Sequence, residues 1–303
     1  MNGIIIIDKP KDFTSFDVVA VVRKCLHEKK TGHTGTLDPM ATGVLPILLG
    51  CATKAQVLLP DTDKEYEADF RFGMTTDTLD ITGKVLSTAP SDVTAEQIEK
   101  ILPKFRGEIM QIPPMYSAVS KDGVRLYELA RKGIVTEREA RPVTVSTLEL
   151  LNFDETTQCG KLKIACSKGT YIRVICDDMG KELGCGCVMT ALRRTRACGY
   201  TLNDTVSIET VRSLSGKTES EIAAYLRPVD SVFGEYGSIR ISESQTVRFN
   251  NGGGLMLSRV RGLTDQTDGT LYRVYSDKNV FLGLGVVSAE KDELSVKKRF
   301  PSE

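Results

Sequence analysis

The stretch Gly32-His33-Thr34-Gly35-Thr36-Leu37-Asp38-Pro39-Met40-Ala41-Thr42-Gly43 constrains the fold more than any other part of the chain. Its three glycines make a helix or strand interior entropically costly, and Pro39 fixes φ and removes a donor just after the only carboxylate in the stretch. Such a segment folds as a loop braced by its neighbours. Asp38 therefore sits on a stiffened turn that a ligand can approach closely. On composition alone a glycine-flanked Asp-Pro is most often a turn or a helix start, so the chemistry must be argued from what surrounds it.

The flanking sequence predicts elements that can carry such a loop. Ile4 to Ile7 reads as a short buried strand closed by Lys9-Pro10, followed by a helix capped by Thr14 or Ser15 with Val18, Val22, Cys25 and Leu26 on one stripe. Tyr66, Ala68, Phe70 and Phe72 alternate with charged residues, the pattern of a strand with one wet face. Thr94-Ala95-Glu96-Gln97 is a capping box ahead of Ile98, Ile101 and Leu102, and Pro103 ends that turn. Gln111-Ile112-Pro113-Pro114 is a stiff connector. From Lys121 to Arg141 the charges are mixed, with Asp122 and Glu128 among Arg125, Arg131 and Lys132, which predicts a solvated, helix-rich surface; an RNA-gripping flap around residues 115–142 is the sharper reading. Strands are expected over Val143 to Leu151 and Lys161 to Cys166. A helix capped by Thr170 then carries Ile172, Ile175, Met179 and Leu183 to Gly184. Past a linker at Gly234 to Gly237, residues 238–303 hold short β-like runs such as Leu271 to Tyr275, predicting a small β-rich second domain after a first of residues 1–235.

Composition removes whole classes of function. With 41% apolar and 26% charged residues over 303 positions, this is the composition of a folding globular chain. Forty basic residues balance forty acidic ones, so any nucleic-acid surface must be local. Two histidines, His27 and His33, exclude a histidine-rich metal site. The eight cysteines contain no C-x-x-C and read as reduced thiols of an intracellular protein, with Cys185-Gly186-Cys187 the only pair close enough to suggest a metal. No apolar run has the length of a membrane span, and no signal-like segment opens the chain, so a cytoplasmic protein is expected.

The Gly32–Gly43 block resembles the catalytic motif of the TruB family of pseudouridine synthases. Further blocks follow in that family's order: Ile6-Ile7-Asp8-Lys9-Pro10 with Thr14-Ser15, Lys64-Glu65-Tyr66-Glu67-Ala68, Gly73 with Thr76-Asp77-Thr78, Pro113-Pro114-Met115-Tyr116-Ser117-Ala118, Gly169-Thr170-Tyr171-Ile172-Arg173, and Leu192-Arg193-Arg194-Thr195-Arg196. Departures stand at three places. Ser120 stands where lysine is usual, with Lys121 one place later; Leu79 replaces a common glycine; Val188-Met189 replace a frequent His-Leu.

The resemblance implies an α+β fold, a mixed and largely antiparallel sheet flanked by helices, with a small β-rich, PUA-like RNA-binding domain at the C-terminus. It implies isomerisation of uridine 55 in the T-loop of tRNA to pseudouridine, by base flipping and without metal or cofactor. The alternatives are a guide-dependent synthase acting on ribosomal RNA and a non-catalytic RNA-folding chaperone on the same scaffold. By resemblance Asp38 is the essential carboxylate, acting at the pyrimidine ring or at the ribose, and Arg173 is its charge partner. Tyr66 stacks on the uracil and helps move the C5 proton; Tyr171 and Leu192 line the base pocket; His33 fills the space that the base vacates. Lys29-Lys30 and Arg193-Arg194-Arg196 are the expected phosphate contacts, and Lys297-Lys298-Arg299 is either another or a polar tail. The expected partner is tRNA, through its T-arm and by way of the C-terminal domain its acceptor stem; the protein is expected to be a monomer with no obligatory protein partner and no membrane association.

Overall fold

The isoleucine run forms β1 (Gly3–Lys9), and its unbroken apolar character has a direct cause: Ile4 and Ile6 face one core cluster while Ile5 and Ile7 face another. The computed structural model describes residues 1–60, 62–121 and 123–301; Asp122, counted above among the charges, lies outside the described residues. After β1 come α1 (Ser15–Cys25), β2 (Thr31–His33), β3 (Thr42–Leu49) and β4 (Lys64–Phe72). Thr14, rather than Ser15, caps α1 through a reciprocal capping box with Asp17. The hairpin β5 (Met74–Thr76) and β6 (Val85–Thr88) leads to α2 (Ala95–Ile101), which opens on the expected Thr94–Gln97 box, and then to β7 (Gly107–Gln111).

Residues 112–140 leave the sheet and return to the same place, because Gln111 pairs with Arg141. Among its described residues this stretch holds only the two-residue strands β8 (Ser120–Lys121) and β9 (Val124–Arg125) and the six-residue α3 (Leu126–Arg131). It is therefore mostly irregular, not helix-rich: between Ala118 and Ala140 Leu126 is the one buried residue among those described, too little apolar surface to hold longer helices. The chain continues through β10 (Arg141–Asp154), β11 (Cys159–Cys166), α4 (Ile172–Glu182), β12 (Cys187–Ala197) and β13 (Tyr200–Thr201).

These strands make one sheet in the order β1-β3-β12-β4-β11-β10-β7, with β2 added to β3 and β13 to β12. Every strand pairing in it is antiparallel except β12 with β3, where Arg193 and Arg194 lie beside Thr42 and Gly43. That junction delivers the end of the glycine-rich loop to the middle of the sheet. One face of β4 packs Ala68, Phe70 and Phe72 against Ile98, Leu102, Ile175 and Met179 from the helices. The α1 helix packs with α5 (Ile208–Ser213) and α6 (Glu219–Ala223) over the β1–β3 end.

A second sheet, in the order β14-β16-β17-β18-β15, forms from β14 (Gly237–Arg240), then α7 (Glu243–Asn250), β15 (Leu255–Met256), β16 (Leu271–Tyr275), β17 (Phe281–Ser288) and β18 (Glu293–Arg299). It has a core of its own around Phe249, Tyr272 and Val274. It also docks on the first sheet, since Leu284 and Phe300 share a cluster with Ile4, Val44 and Phe233. Lys297-Lys298-Arg299 is no tail: it is the end of β18, paired to Gly283 and Leu284 of β17.

Candidate active site

Side chains from three separate elements hold the loop that carries Asp38. From β1 the fully buried Lys9 donates through Nζ to the carbonyls of Pro10 (3.0 Å), Phe13 and Pro39 (3.1 Å). Burial pulls this ammonium down to about 8, against the attraction of Asp38. From the start of α1, the Ser15 hydroxyl donates to the Leu37 carbonyl (3.2 Å) and accepts from the Leu37 N–H (2.8 Å). From β12 the fully buried Arg194 donates to the carbonyls of Val44 (2.7 Å), Gly35 (3.2 Å) and Thr36 (3.5 Å). Gly43 is required here: its φ is +104°, and a Cβ at that position would lie 2.2 Å from the Arg194 carbonyl oxygen. The loop is irregular backbone whose polar groups are paired one by one, as a buried loop must be.

On this support Asp38 stands half-exposed at the mouth of a cleft of about 300 Å³. Arg173, in the first turn of α4, brings Nη2 to 3.4 Å from Asp38 Oδ2. Its side chain is 95% buried and its guanidinium is fixed by the Tyr116 carbonyl (Nη2, 2.6 Å) and the Thr78 carbonyl (Nη1, 3.4 Å), with Asp80 Oδ2 at 3.7 Å from Nη1. Asp80 is itself buried and accepts from the hydroxyls of Thr78 (2.8 Å) and Thr82 (2.6 Å) and from the Thr82 N–H (3.0 Å). A desolvated guanidinium between two carboxylates is compensated in charge, and its Nη2 stands within ion-pair distance of Asp38.

Tyr66 projects from β4 into the same cleft as Asp38, with Tyr171, Leu192 and Met189 around it. Burial pushes its phenol up to about 12, and the charge of Arg194 and a hydrogen bond from it only partly offset this. Tyr66 is therefore a neutral phenol at physiological pH, a flat surface with a donor at its tip. Tyr171 sits at the N-cap of α4, with its guanidinium neighbour Arg173 centred 5.8 Å from the ring. The helix start is not capped by Thr170, whose hydroxyl turns back to the Ser167 carbonyl (3.0 Å). Instead the buried Gln111 amide grips the Tyr171 backbone, accepting from its N–H (2.7 Å) and donating to its carbonyl (3.1 Å).

The structure thus brings Asp38, Tyr66, Tyr171, Arg173 and Leu192 to one cleft. His33 is placed beside it. The cleft lining begins at Thr34, and His33 ends β2 against Ile47, half-buried, with Nδ1 buried and unpartnered. Burial and the Arg194 charge hold its imidazole below the usual range, so it is neutral near pH 7.

The expected Arg193-Arg194-Arg196 phosphate cluster does not exist as such. Arg194 is fully buried under the loop, and Arg193 pairs with Asp8 (Nη2 to Oδ2, 2.8 Å) and the Thr42 hydroxyl. Alternation along β12 is the signal that could have shown this: Leu192 and Arg194 are two apart and share the face expected to line the cleft. Lys9 and Gln111 were missed because their partners are backbone groups, and Asp80 because its link to the site runs through Arg173, distant in sequence. Lys29 and Lys30 are exposed as expected. Leu79 holds φ at +65° to close the turn after Thr76, a conformation that costs a leucine about 1 kcal/mol and a glycine nothing.

Two family models match in tandem. The N-terminal domain of TruB family pseudouridylate synthases matches residues 23–172, and the C-terminal domain of tRNA pseudouridylate synthase B matches residues 173–233. The chain is 44% identical over 291 residues to tRNA pseudouridine synthase B of Stutzerimonas stutzeri (strain A1501), covering 96% of this chain and 93% of that one. It is 42% identical over 304 residues to the protein of that name from Pseudomonas syringae pv. syringae (strain B728a), covering 100% and 97%. The chain belongs to the TruB family.

A chain in a crystal structure of a Cbf5-Nop10-Gar1 complex superposes with a TM-score of 0.73 at 25% identity, covering 99% of this chain and 85% of that one. The boundary between the two TruB matches falls in the first turn of α4, between Ile172 and Arg173. The cleft and its support are therefore built from both, with Asp38 and Tyr66 in the first and Arg173, Leu192 and Arg194 in the second. The sheet that starts at β14 lies beyond both matches.

Proposed function

We propose that this TruB-family chain is a tRNA pseudouridine synthase that isomerises uridine 55 of the T-loop, with Asp38 as the reacting carboxylate. One observation carries the reading: Asp38 is the only carboxylate among the described residues lining the cleft, and a buried guanidinium forms an ion pair with it there at 3.4 Å. In the reaction the N1–C1′ bond breaks, C5 of the turned base bonds to C1′, the C5 proton leaves and N1 gains one. Arg173 orients Asp38 toward the reacting nucleotide, and Tyr66 and Tyr171 receive the base.

Taking a base out of its stack costs a few kcal/mol, and an aromatic platform returns about 1–3 kcal/mol per base. The remainder comes from backbone contacts and from filling the vacated space, for which His33 at the cleft edge is suitably placed. Tyr66 can serve the C5 proton as a hydrogen-bonded phenol beside Arg194, not as a free phenolate. We assign RNA contact to the segment 112–140 and to the C-terminal sheet of residues 237–299, the latter as a PUA-like domain reaching toward the acceptor end. The working form is a cytoplasmic monomer; among the described residues no helix is long and apolar enough to cross a membrane. The 41–44% identity to bacterial tRNA pseudouridine synthases B favours tRNA over a guide-directed substrate.

The test is tritium release from a T-arm stem-loop labelled at C5 of its uridines, with purified protein and neither guide RNA nor added protein. Release of one tritium per stem-loop is expected. Asp38→Asn should bind the stem-loop and release nothing. No release from folded wild-type protein would overturn the reading.

A further inference from the structure

We propose that the ammonium of Lys64 is the docking point for a phosphodiester oxygen of the RNA strand beside the flipped nucleotide; this rests on the RNA-modifying reading above. Lys64 opens β4 two residues before Tyr66. Residues two apart on a strand project from the same face, about 7 Å apart. Both side chains line the cleft that holds Asp38. The Lys64 stem also lies against the catalytic loop, since a Cβ built on Gly35 would come within 3.3 Å of Lys64 Cε. A base resting on Tyr66 with its sugar at Asp38 therefore directs its backbone along the Gly35 side of the cleft, toward Lys64.

The charge balance around Lys64 points to an anion. Of its three donors, one is spent on the Thr62 carbonyl at 2.8 Å. Burial and the nearby Arg194 guanidinium oppose its charge and together outweigh the attraction of the neighbouring Asp63, which leaves it below the usual lysine range. A half-buried ammonium beside a second cation, with neutral backbone as its hydrogen-bond partner, gains from an incoming phosphate what water supplies only partly. The exposed lysines Lys29 and Lys30 lack this enclosure. They fit the diffuse, long-range part of RNA attraction, whereas Lys64 fits a phosphate of fixed register.

The experiment uses full-length protein carrying Asp38→Asn, which separates binding from turnover, and a fluorescein-labelled T-arm stem-loop titrated between 50 and 300 mM salt, roughly the range over which counterion release is read. Adding Lys64→Gln is expected to weaken binding about tenfold and to make the slope of log K against log salt shallower by about one phosphate's worth, roughly 0.7–0.9. Lys64→Arg is expected to stay within about threefold of the parent. Stem-loops with a single neutral methylphosphonate on either side of the target uridine then locate the contact: at one of the two, the difference in affinity between the parent protein and the Lys64→Gln variant should vanish. An unchanged salt slope, or a penalty that survives both neutral linkages, overturns the proposal and makes Lys64 a structural or base-contacting residue. If Lys64→Gln does not fold, as judged by its melting curve, methylphosphonate sensitivity of the Lys64→Arg protein carries the same test. Failure of the Asp38→Asn parent to bind the stem-loop at all would instead strike the RNA reading itself.

Discussion

The floor of the cleft and the segment that leaves the sheet beside it are both irregular backbone, yet they are built in opposite ways. Under Asp38, the carbonyls of Gly35, Thr36, Leu37 and Pro39 are each claimed by a side chain from β1, α1 or β12. In residues 112–140 the contacts are mostly local: Lys121 reaches Thr136 and the Glu137 carbonyl, and Arg125 reaches the Ala118 carbonyl. Val135 is 78% exposed. The floor is preorganised, which is what holding a reacting carboxylate requires. The segment has few buried contacts, which sets a low cost for local opening, and among the described residues it touches the site at its base, at Tyr116 and Ala118. On the function proposed above, precision is concentrated around the reacting carboxylate, and adaptability where the RNA is received.

Tyr66→Phe probes the floor with the largest expected effect. It keeps the ring and so keeps RNA affinity within about threefold, while kcat falls about 10³-fold, within the range for loss of a proton-handling group. Because burial raises the phenol to about 12, the wild-type rate should show no phenolate limb between pH 7 and 10. A rise of about tenfold per pH unit over that range would mean that Tyr66 acts as a free base.

Arg194→Met comes next. It strips the carbonyls of Val44, Gly35 and Thr36 of their donor, so urea unfolding should show a loss of about 3 kcal/mol. The loosened loop should cost about 10² in kcat. An undiminished kcat in a folded Arg194→Met protein would break the claim that the floor is preorganised through this residue.

The smallest effect is expected in the outer segment. Arg131→Ala with Lys132→Ala should change unfolding free energy by less than about 0.5 kcal/mol and weaken stem-loop binding several-fold, with a shallower salt slope. A stability loss comparable to that of Arg194→Met would erase the contrast between the two regions.

Much of this was legible in the sequence, for identifiable reasons. The β4 strand showed through the alternation of Tyr66, Ala68, Phe70 and Phe72, and α2 through its capping box, because each pattern answers to one local geometry. Asp38, Tyr66 and Arg173 were found through the resemblance of ordered blocks; none would stand out by residue type alone. What escaped were residues whose roles at the site run through distant partners. Lys9 and Arg194 look like ordinary surface cations in sequence, and their burial depends on carbonyls 30 and 150 positions away. Gln111 replaces Thr170 at the start of α4 across 60 residues, a substitution no local capping rule reveals.

The parallel pairing of β12 against β3, alone of its kind among the strands of the first sheet, has a consequence for how the molecule comes into being. Asp38 emerges early in synthesis, but the guanidinium that secures its loop belongs to a strand made some 150 residues later. A nascent or truncated chain that stops short of Cys187 carries the Asp38 loop with Lys9 and Ser15 already made but without Arg194, so the loop should reach its final form late, as the last strand of that junction is threaded into the sheet.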